Sequence, residues 1–364
     1  MSTQTPPAGG TGQVSAHPLI LLGMGNVHRE LLGILDAKAE TLARRYGVTF
    51  PVAACADRSG FILGPDAEGG RIPAGAMLAA KAKGAKLREI PGAAPVSLEE
   101  ALGAAGPRGI LCDAASMDVV TGGIGLTAAR AALGRGISVA FANKSAVALA
   151  FDELETLARE NGAGLGWSAT VCGGLPVVNA GRRDLVAAEF RRLRGVFNST
   201  SNLVLGRMAE GLSLEEAVAE ARRRGIAETD PTNDLNGTDT ALKLLILVRT
   251  VMRRKATLAE VDRTGIERAP APAAGEVVRL LGEAVPEGDG VRMTVTPVAV
   301  PRDSFFGSIG TLDMAVEWET DLFSTQRLVA TEGDAIPTAA AVLRDAVHIA
   351  LGRPTGPALT MAGS

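Results

Sequence analysis

The chain has 364 residues, a length for about two domains. Hydrophobic residues at 46% provide a core and exclude general disorder, while 21% charged residues, a net charge of −3 and 3% aromatics exclude the basic excess and stacking platforms of nucleic-acid binders. Only seven of the 37 basic residues are lysines, so the place of each lysine is informative.

Residues 1–17 are rich in Gly, Pro, Thr and Ser and lack a basic segment followed by an apolar one, which predicts a disordered tail and not a signal peptide. Leu19-Ile20-Leu21-Leu22 is an apolar run suited to a buried parallel strand. It enters Gly23-Met24-Gly25-Asn26-Val27, followed by a helix from about Arg29 to Tyr46. A second strand, Phe50 to Ala56, ends at Asp57-Arg58-Ser59. Gly109 to Asp113 reads as strand, Thr127 to Leu133 as helix, and Ile137 to Ala142 as a strand ending at Asn143-Lys144. This alternation predicts an α/β, Rossmann-like doubly wound parallel sheet over residues 18–165.

The pattern changes from residue 166. Val186 to Phe197 and Arg292 to Val300 alternate as strands do. Between them Ser213-Leu214-Glu215-Glu216 is a capping box whose helix Gly225 stops. A further helix begins near Asp239, with Thr238 or Asp239 as N-cap, and runs to about Met252. Residues 166–325 are therefore expected to form an α+β domain. A last helix, Pro337 to Leu351, places residues 326–364 as a segment returning to the first domain. Cys55, Cys112 and Cys172 are far apart and odd in number, which predicts buried reduced thiols, no zinc site and a cytoplasmic setting. No apolar stretch reaches 18 residues, so no membrane span is expected.

Gly23-x-Gly25 between a strand and a helix is the phosphate-binding part of a dinucleotide fingerprint: the first glycine allows the turn, the second lets backbone approach a diphosphate. Gly23, Gly25, Asn26 and Val27 are thus cofactor-site candidates. His28 replaces the third glycine and is expected to be accommodated harmlessly; the alternatives are a helix pushed out or a ring pointing toward the cofactor, with altered cofactor affinity or lost activity. Asp57 suits a ribose and Arg58 a 2′-phosphate, which leaves NAD and NADP both open.

Residues 225–243 carry four carboxylates, Glu228, Asp230, Asp234 and Asp239, within twelve positions. Asp239 and Lys243 are i, i+4 and share a helix face. A capped helix with a surface ion pair has the same composition. However, Lys243 precedes Leu244-Leu245-Ile246-Leu247-Val248, and a dry setting is expected to lower its pKa and ease proton donation. Lys144 lies just past a strand's carboxyl end, where open α/β sheets bind ligands.

With these motifs the chain resembles the homoserine dehydrogenase family. The matching segments are Gly23-x-Gly25-Asn26-Val27, Ala142-Asn143-Lys144, Val171-Cys172-Gly173-Gly174-Leu175-Pro176 and Asn198-Ser199-Thr200-Ser201-Asn202. The acidic run from Gly225 through Asp239 to Lys243 and the Pro337-Thr338-Ala339 helix match as well. The resemblance spans residues 19–351 and implies a short form without a C-terminal regulatory domain. It implies NAD(P)-dependent interconversion of L-aspartate 4-semialdehyde and L-homoserine, with Lys243 and Lys144 around the reacting carbonyl and Asp239 orienting them. Glu228, Asp234, Thr200 and Gly174 would bind substrate, with Glu228 taking the amino group, and Asn143 would touch the cofactor. A monovalent cation, Na+ or K+, would sit on backbone carbonyls of Val171, Gly173 and Leu175. A homodimer through the second domain is implied, with a small-molecule substrate and neither nucleic acid nor membrane as partner.

The chain departs from the family pattern at His28, at Ser168 in place of an acidic residue, at Ser199 in place of a glycine, and at Leu203 and Ile226 in place of tyrosines. Two alternatives therefore stand beside the first reading: a related dehydrogenase for another amino-acid or hydroxy-aldehyde substrate, and a catalytically silent cofactor-binding homologue.

Overall fold

The computed structural model describes residues 14–352. Its first part runs β1 (Ser15–Ala16), β2 (Leu19–Leu22), α1 (Asn26–Tyr46), β3 (Val48–Thr49), β4 (Val52–Asp57), β5 (Gly60–Leu63), α2 (Ala74–Ala82), β6 (Pro95–Val96), α3 (Leu98–Ala105), β7 (Ile110–Asp113), α4 (Gly123–Leu133), β8 (Ser138–Phe141), α5 (Lys144–Glu160) and β9 (Leu165–Gly166). Among the described residues a seven-stranded sheet has the order β6-β5-β4-β2-β7-β8-β9. β4, β2, β7, β8 and β9 are mutually parallel, and the β4–β5 and β5–β6 pairs are antiparallel.

β2 shows why the run LILL becomes a central strand. All four residues are buried: Leu19 and Leu21 enter one apolar cluster, Ile20 and Leu22 another, so each face of the sheet has its own core. Period-two geometry sends successive side chains to opposite layers.

The second part runs α6 (Val177–Asn179), β10 (Phe190–Val196), α7 (Ser199–Ala209), α8 (Leu214–Arg223), α9 (Thr232–Leu235), α10 (Thr238–Thr250), β11 (Val261–Arg263), β12 (Glu276–Glu287), β13 (Gly290–Pro301), α11 (Phe305–Ser308), β14 (Asp313–Thr320), β15 (Thr325–Thr331) and α12 (Ile336–Ala350). Its six-stranded sheet, β11-β13-β12-β10-β14-β15, is antiparallel except for the β11–β13 pair. The capping box forms at α8, where Ser213 and Glu216 bond reciprocally. α12 then packs on α1, β8 and β9 of the first part.

Several boundaries differ from expectation. Ser15–Ala16 pairs with Val48–Thr49, so ordered structure begins before residue 18; residues 1–13 of the expected tail and residues beyond 352 lie outside the described residues. β10 starts at Phe190, not Val186, because Ala187 turns the chain with a positive φ of 59°. β15 belongs to the second sheet through Thr331, so the return to the first part starts there and not at 326. Neither Thr238 nor Asp239 caps α10. Gly237 (φ 79°) holds that position, and the Asn236 side chain accepts the Thr238 N–H at 2.9 Å.

Candidate active site

A cavity of ≈ 810 Å³ lies between the carboxyl ends of the parallel strands and α7, α9 and α10. This volume suits a drug-sized ligand. One wall is the Gly25-Asn26-Val27 turn with Ala114 to Met117. The opposite wall carries Asn198 to Thr200, Gly225 to Glu228 and Asp234. Lys144, Asp239 and Lys243 lie between them, and Glu332 to Ala335 close one side.

The three central residues come from two helices. Asp239 and Lys243 lie one turn apart on α10, with Lys243 Nζ 2.6 Å from Asp239 Oδ2. Lys144 begins α5, with Nζ 3.3 Å from Asp239 Oδ1. A lysine at a helix start opposes the helix dipole, so the carboxylate between the two ammonium groups offsets that cost. Burial alone would raise the Asp239 carboxyl, but Lys243 and Lys144 outweigh it and hold the group far below the usual range. Lys243 Nζ also donates to the Phe197 carbonyl at 2.7 Å.

The expected lowering of the Lys243 pKa is overturned. Burial does oppose its charge, yet the Asp239 carboxylate outweighs burial and raises the pKa. The apolar run after Lys243 packs into the core, while its own ammonium faces an anion.

Asn198, which caps α7, ties the acids together. Its Nδ2 donates to Asp234 at 2.7 Å and to Asp239 at 2.8 Å, and its Oδ1 accepts the Ser201 N–H. Burial and the neighbouring Asp239 charge raise the Asp234 carboxyl. Sequence reasoning named Asn198 only as part of a motif; its N-cap position ahead of Ser201 was the available signal. Thr200 lines the cavity and donates its hydroxyl to the Ile226 carbonyl at 3.2 Å. Glu228 lines the rim and is exposed. Of the three pocket departures, Ser199 and Ile226 line the cavity. Leu203 is fully buried in α7 and does not line it.

On the opposite wall, Gly23 adopts φ 95°, and a Cβ there would strike the Ala114 carbonyl, so glycine is required. At Gly25 a Cβ would meet nothing, which leaves open space beside the start of α1. That helix has no side-chain cap and no acid in its first turn, so its N–H groups are open to an anion. These residues fit a dinucleotide diphosphate. Asn143 caps α5 by accepting the Ser145 N–H at 3.0 Å, and donates to Asp113 at 3.1 Å.

His28 is fully buried and does not line the cavity. Burial lowers its pKa to about 4, so it packs as a neutral ring and does not point toward a cofactor. Asp57 is not a free ribose acceptor: Ser59 N and Oγ bond Oδ1, and Lys81 Nζ and Leu87 N bond Oδ2. Burial would raise this carboxyl, but those four donors outweigh it and hold it at about 2. Arg58 is exposed beside it and does not line the cavity either. Gly174 does not line the cavity; its N–H bonds Glu332 and its carbonyl accepts from Arg344 at 3.0 Å. In the turn expected to bind a cation, Val171 and Leu175 are buried, and the Leu175 carbonyl accepts the Val177 N–H at 2.8 Å. The three cysteines are buried and free, and burial pushes Cys55 and Cys172 up to about 12, so they are inert thiols.

The family model described as homoserine dehydrogenase matches residues 176–347. A homoserine dehydrogenase of Methanocaldococcus jannaschii is 37% identical over 218 residues, which are 58% of this chain and 63% of that one, just under two thirds of its length. One from Sulfurisphaera tokodaii is 34% identical over 59% of this chain and 68% of its own. An NAD(+)-dependent homoserine dehydrogenase of Pseudomonas canavaninivorans is 28% identical across 92% of this chain and 97% of its own. Among solved structures, a hyperthermophilic archaeal homoserine dehydrogenase in complex with NADPH superposes with a TM-score of 0.78 at 28% identity, covering 93% and 99% of the two chains.

Proposed function

The chain belongs to the homoserine dehydrogenase family, and on that premise we propose that it interconverts L-aspartate 4-semialdehyde and L-homoserine with NAD or NADP, in the biosynthesis of threonine and methionine. The observation that carries the reading is the Lys144–Asp239–Lys243 group facing the uncapped start of α1 across one cavity.

A nicotinamide cofactor supplies or accepts the hydride when bound, and Gly25, Asn26 and Val27 would hold its diphosphate. Reduction builds negative charge on the aldehyde oxygen. Lys144 and Lys243 stabilise that charge, and one of them protonates it. An alkoxide is a far stronger base than an amine, so a lysine with a raised pKa still releases its proton to it. Oxidation needs the opposite: a neutral lysine must take the alcohol proton, and the raised Lys243 pKa disfavours that state. Homoserine oxidation is therefore expected to accelerate steadily toward alkaline pH. Asp234 and Glu228 supply the acidic side of the cavity for the substrate amino group, and Thr200 adds a hydroxyl to the same lining.

The same reading includes a homodimer through the second sheet and a cytoplasmic location. No helix among the described residues is long and apolar enough to cross a membrane. Sedimentation of the purified chain tests the dimer.

The deciding experiment is homoserine-dependent reduction of NAD and of NADP, with Lys243→Ala as control. Turnover by the parent chain, with loss of ~10³-fold or more in the variant and cofactor binding retained, is expected. No turnover with either cofactor, or normal activity in Lys243→Ala, would sink the assignment.

A further inference from the structure

NAD and NADP differ only at the adenosine ribose, where NADP carries a phosphate on the 2′-oxygen and NAD a hydroxyl. In a strand–turn–helix dinucleotide site that oxygen lies beside the end of the strand next to the glycine turn. Here that strand is β4. The Ala56 carbonyl accepts the Gly23 and Met24 N–H groups at 2.9 and 3.0 Å, so Asp57-Arg58-Ser59 follows directly from the residue that anchors the turn.

An acid at this strand end selects NAD by accepting the 2′-hydroxyl and repelling a 2′-phosphate. Asp57 is withdrawn from both tasks. A carboxylate offers about four acceptor sites, and four donors meet this one: the Ser59 N–H and hydroxyl at Oδ1, and Lys81 Nζ and the Leu87 N–H at Oδ2, all between 2.6 and 2.9 Å. Lys81 reaches it from α2 with a side chain only 14% exposed, and its ammonium also donates to the Ala85 carbonyl at 2.9 Å. The ion pair is therefore fixed, and it offsets the negative charge that a phosphate would meet.

Two further cations border the same turn. The Arg88 guanidinium donates to the Phe61 and Val96 carbonyls and lies over Gly60, so close that a Cβ there would be 2.6 Å from its Cζ. Arg58 is exposed and has no ion-pair partner among the described residues. Three cations thus stand against one carboxylate, and a phosphate monoester brings a charge of about −1.5 to −2 at neutral pH.

We propose that the chain prefers NADP to NAD, with the Arg58 guanidinium taking the 2′-phosphate and Lys81 acting as the positioning residue that withdraws Asp57 from the ribose. This rests on the dinucleotide-dependent function proposed above and names which dinucleotide it uses. The planar fork of an arginine matches a phosphate, and Arg58 is free to supply it. Arg58 does not line the cavity, as expected of a group that meets the adenosine end and not the reacting end.

Calorimetry with 2′,5′-ADP, 5′-AMP, NADP and NAD tests this on the parent chain, Arg58→Ala, Lys81→Met, and Lys81→Met combined with Asp57→Asn. The two fragments read the adenosine end without turnover. The test can therefore fail while homoserine oxidation stands, and a chain inactive on homoserine can still pass it. The parent is expected to bind 2′,5′-ADP at least ~10-fold tighter than 5′-AMP, and NADP tighter than NAD by a similar factor. Arg58→Ala should lose about tenfold for 2′,5′-ADP and change less than twofold for 5′-AMP. Lys81→Met uncovers the Asp57 charge, so it should lose as much for 2′,5′-ADP and bind NAD more tightly. Adding Asp57→Asn should restore most of the preference for 2′,5′-ADP, which a merely structural Lys81 would not allow. Equal binding of the two fragments by the parent, tighter binding of 5′-AMP, or an unchanged preference in Arg58→Ala overturns the proposal. If Lys81→Met does not fold, the parent and Arg58→Ala, altered at an exposed side chain, decide by the same criteria.

Discussion

The two walls of the cavity bury carboxylates of opposite character. On α10, Asp239 is held strongly ionised between two ammonium groups. At the end of β7, behind Ala114, Asp113 is equally buried but meets only neutral donors, the Ala115 N–H at 2.9 Å and Asn143 Nδ2 at 3.1 Å. Burial there outweighs these bonds and raises its pKa to about 6. The difference teaches that neutral hydrogen bonds reduce the cost of burying a carboxylate without reversing it, and that a nearby cation reverses it. The carboxylate that orients charge for chemistry touches the cations; the one that only braces the turn ahead of Lys144 bonds neutral donors alone.

Substitutions should separate the two walls in order of effect. Asp239→Asn leaves two ammonium groups without their shared anion, so kcat should fall by ~10²–10³-fold while cofactor affinity changes little. Steady-state kinetics with a cofactor-binding titration checks this, and a kcat within threefold of the parent would break the comparison. Asn198→Ala removes the amide shared by Asp234 and Asp239 and should cost about tenfold in kcat/KM. A loss confined to melting temperature would show that the bridge is structural only.

The smallest effect is a matter of pH. The Asp113 carboxyl binds its proton more tightly in the folded chain than in the unfolded one, where its ordinary value is 3.8. Between about pH 4 and 6 the folded chain therefore holds more protons, and stability falls as pH rises through that window. Comparing the melting temperature of the parent with that of Asp113→Asn across pH 4–8 should show a flatter curve for the variant. Parallel curves would mean that Asp113 is not the group responsible.

Much of this site was legible in the sequence for local reasons. Gly23-x-Gly25 between strand and helix announces its own geometry, and the i, i+4 spacing of Asp239 and Lys243 places them together. What was not legible depends on distant segments. Glu332 reaches Gly174 across 158 positions and Asp345 reaches Ser168 across 177, and no local pattern announces either contact. Asp57 sat where a ribose acceptor would, but its partners Lys81 and Leu87 arrive from α2 and the turn after it. Lys243 is the instructive error: the apolar run gave the burial, and the Asp239 pairing was visible too, but only the geometry shows which one wins.

The return of α12 to the first part of the chain has a consequence for how the protein is made. Ala339, Val342 and Ala346 of that helix complete the apolar cluster formed by β2, β4 and α1. On a ribosome, that layer stays open after β9 has emerged, while the whole second sheet is translated. At ~5–20 residues per second this delay is roughly 10–40 s. During it the growing chain carries an uncovered hydrophobic face, which is when a holding chaperone would matter most. Because α12, translated after the second sheet, closes the first sheet, the two parts finish folding together, not one after the other.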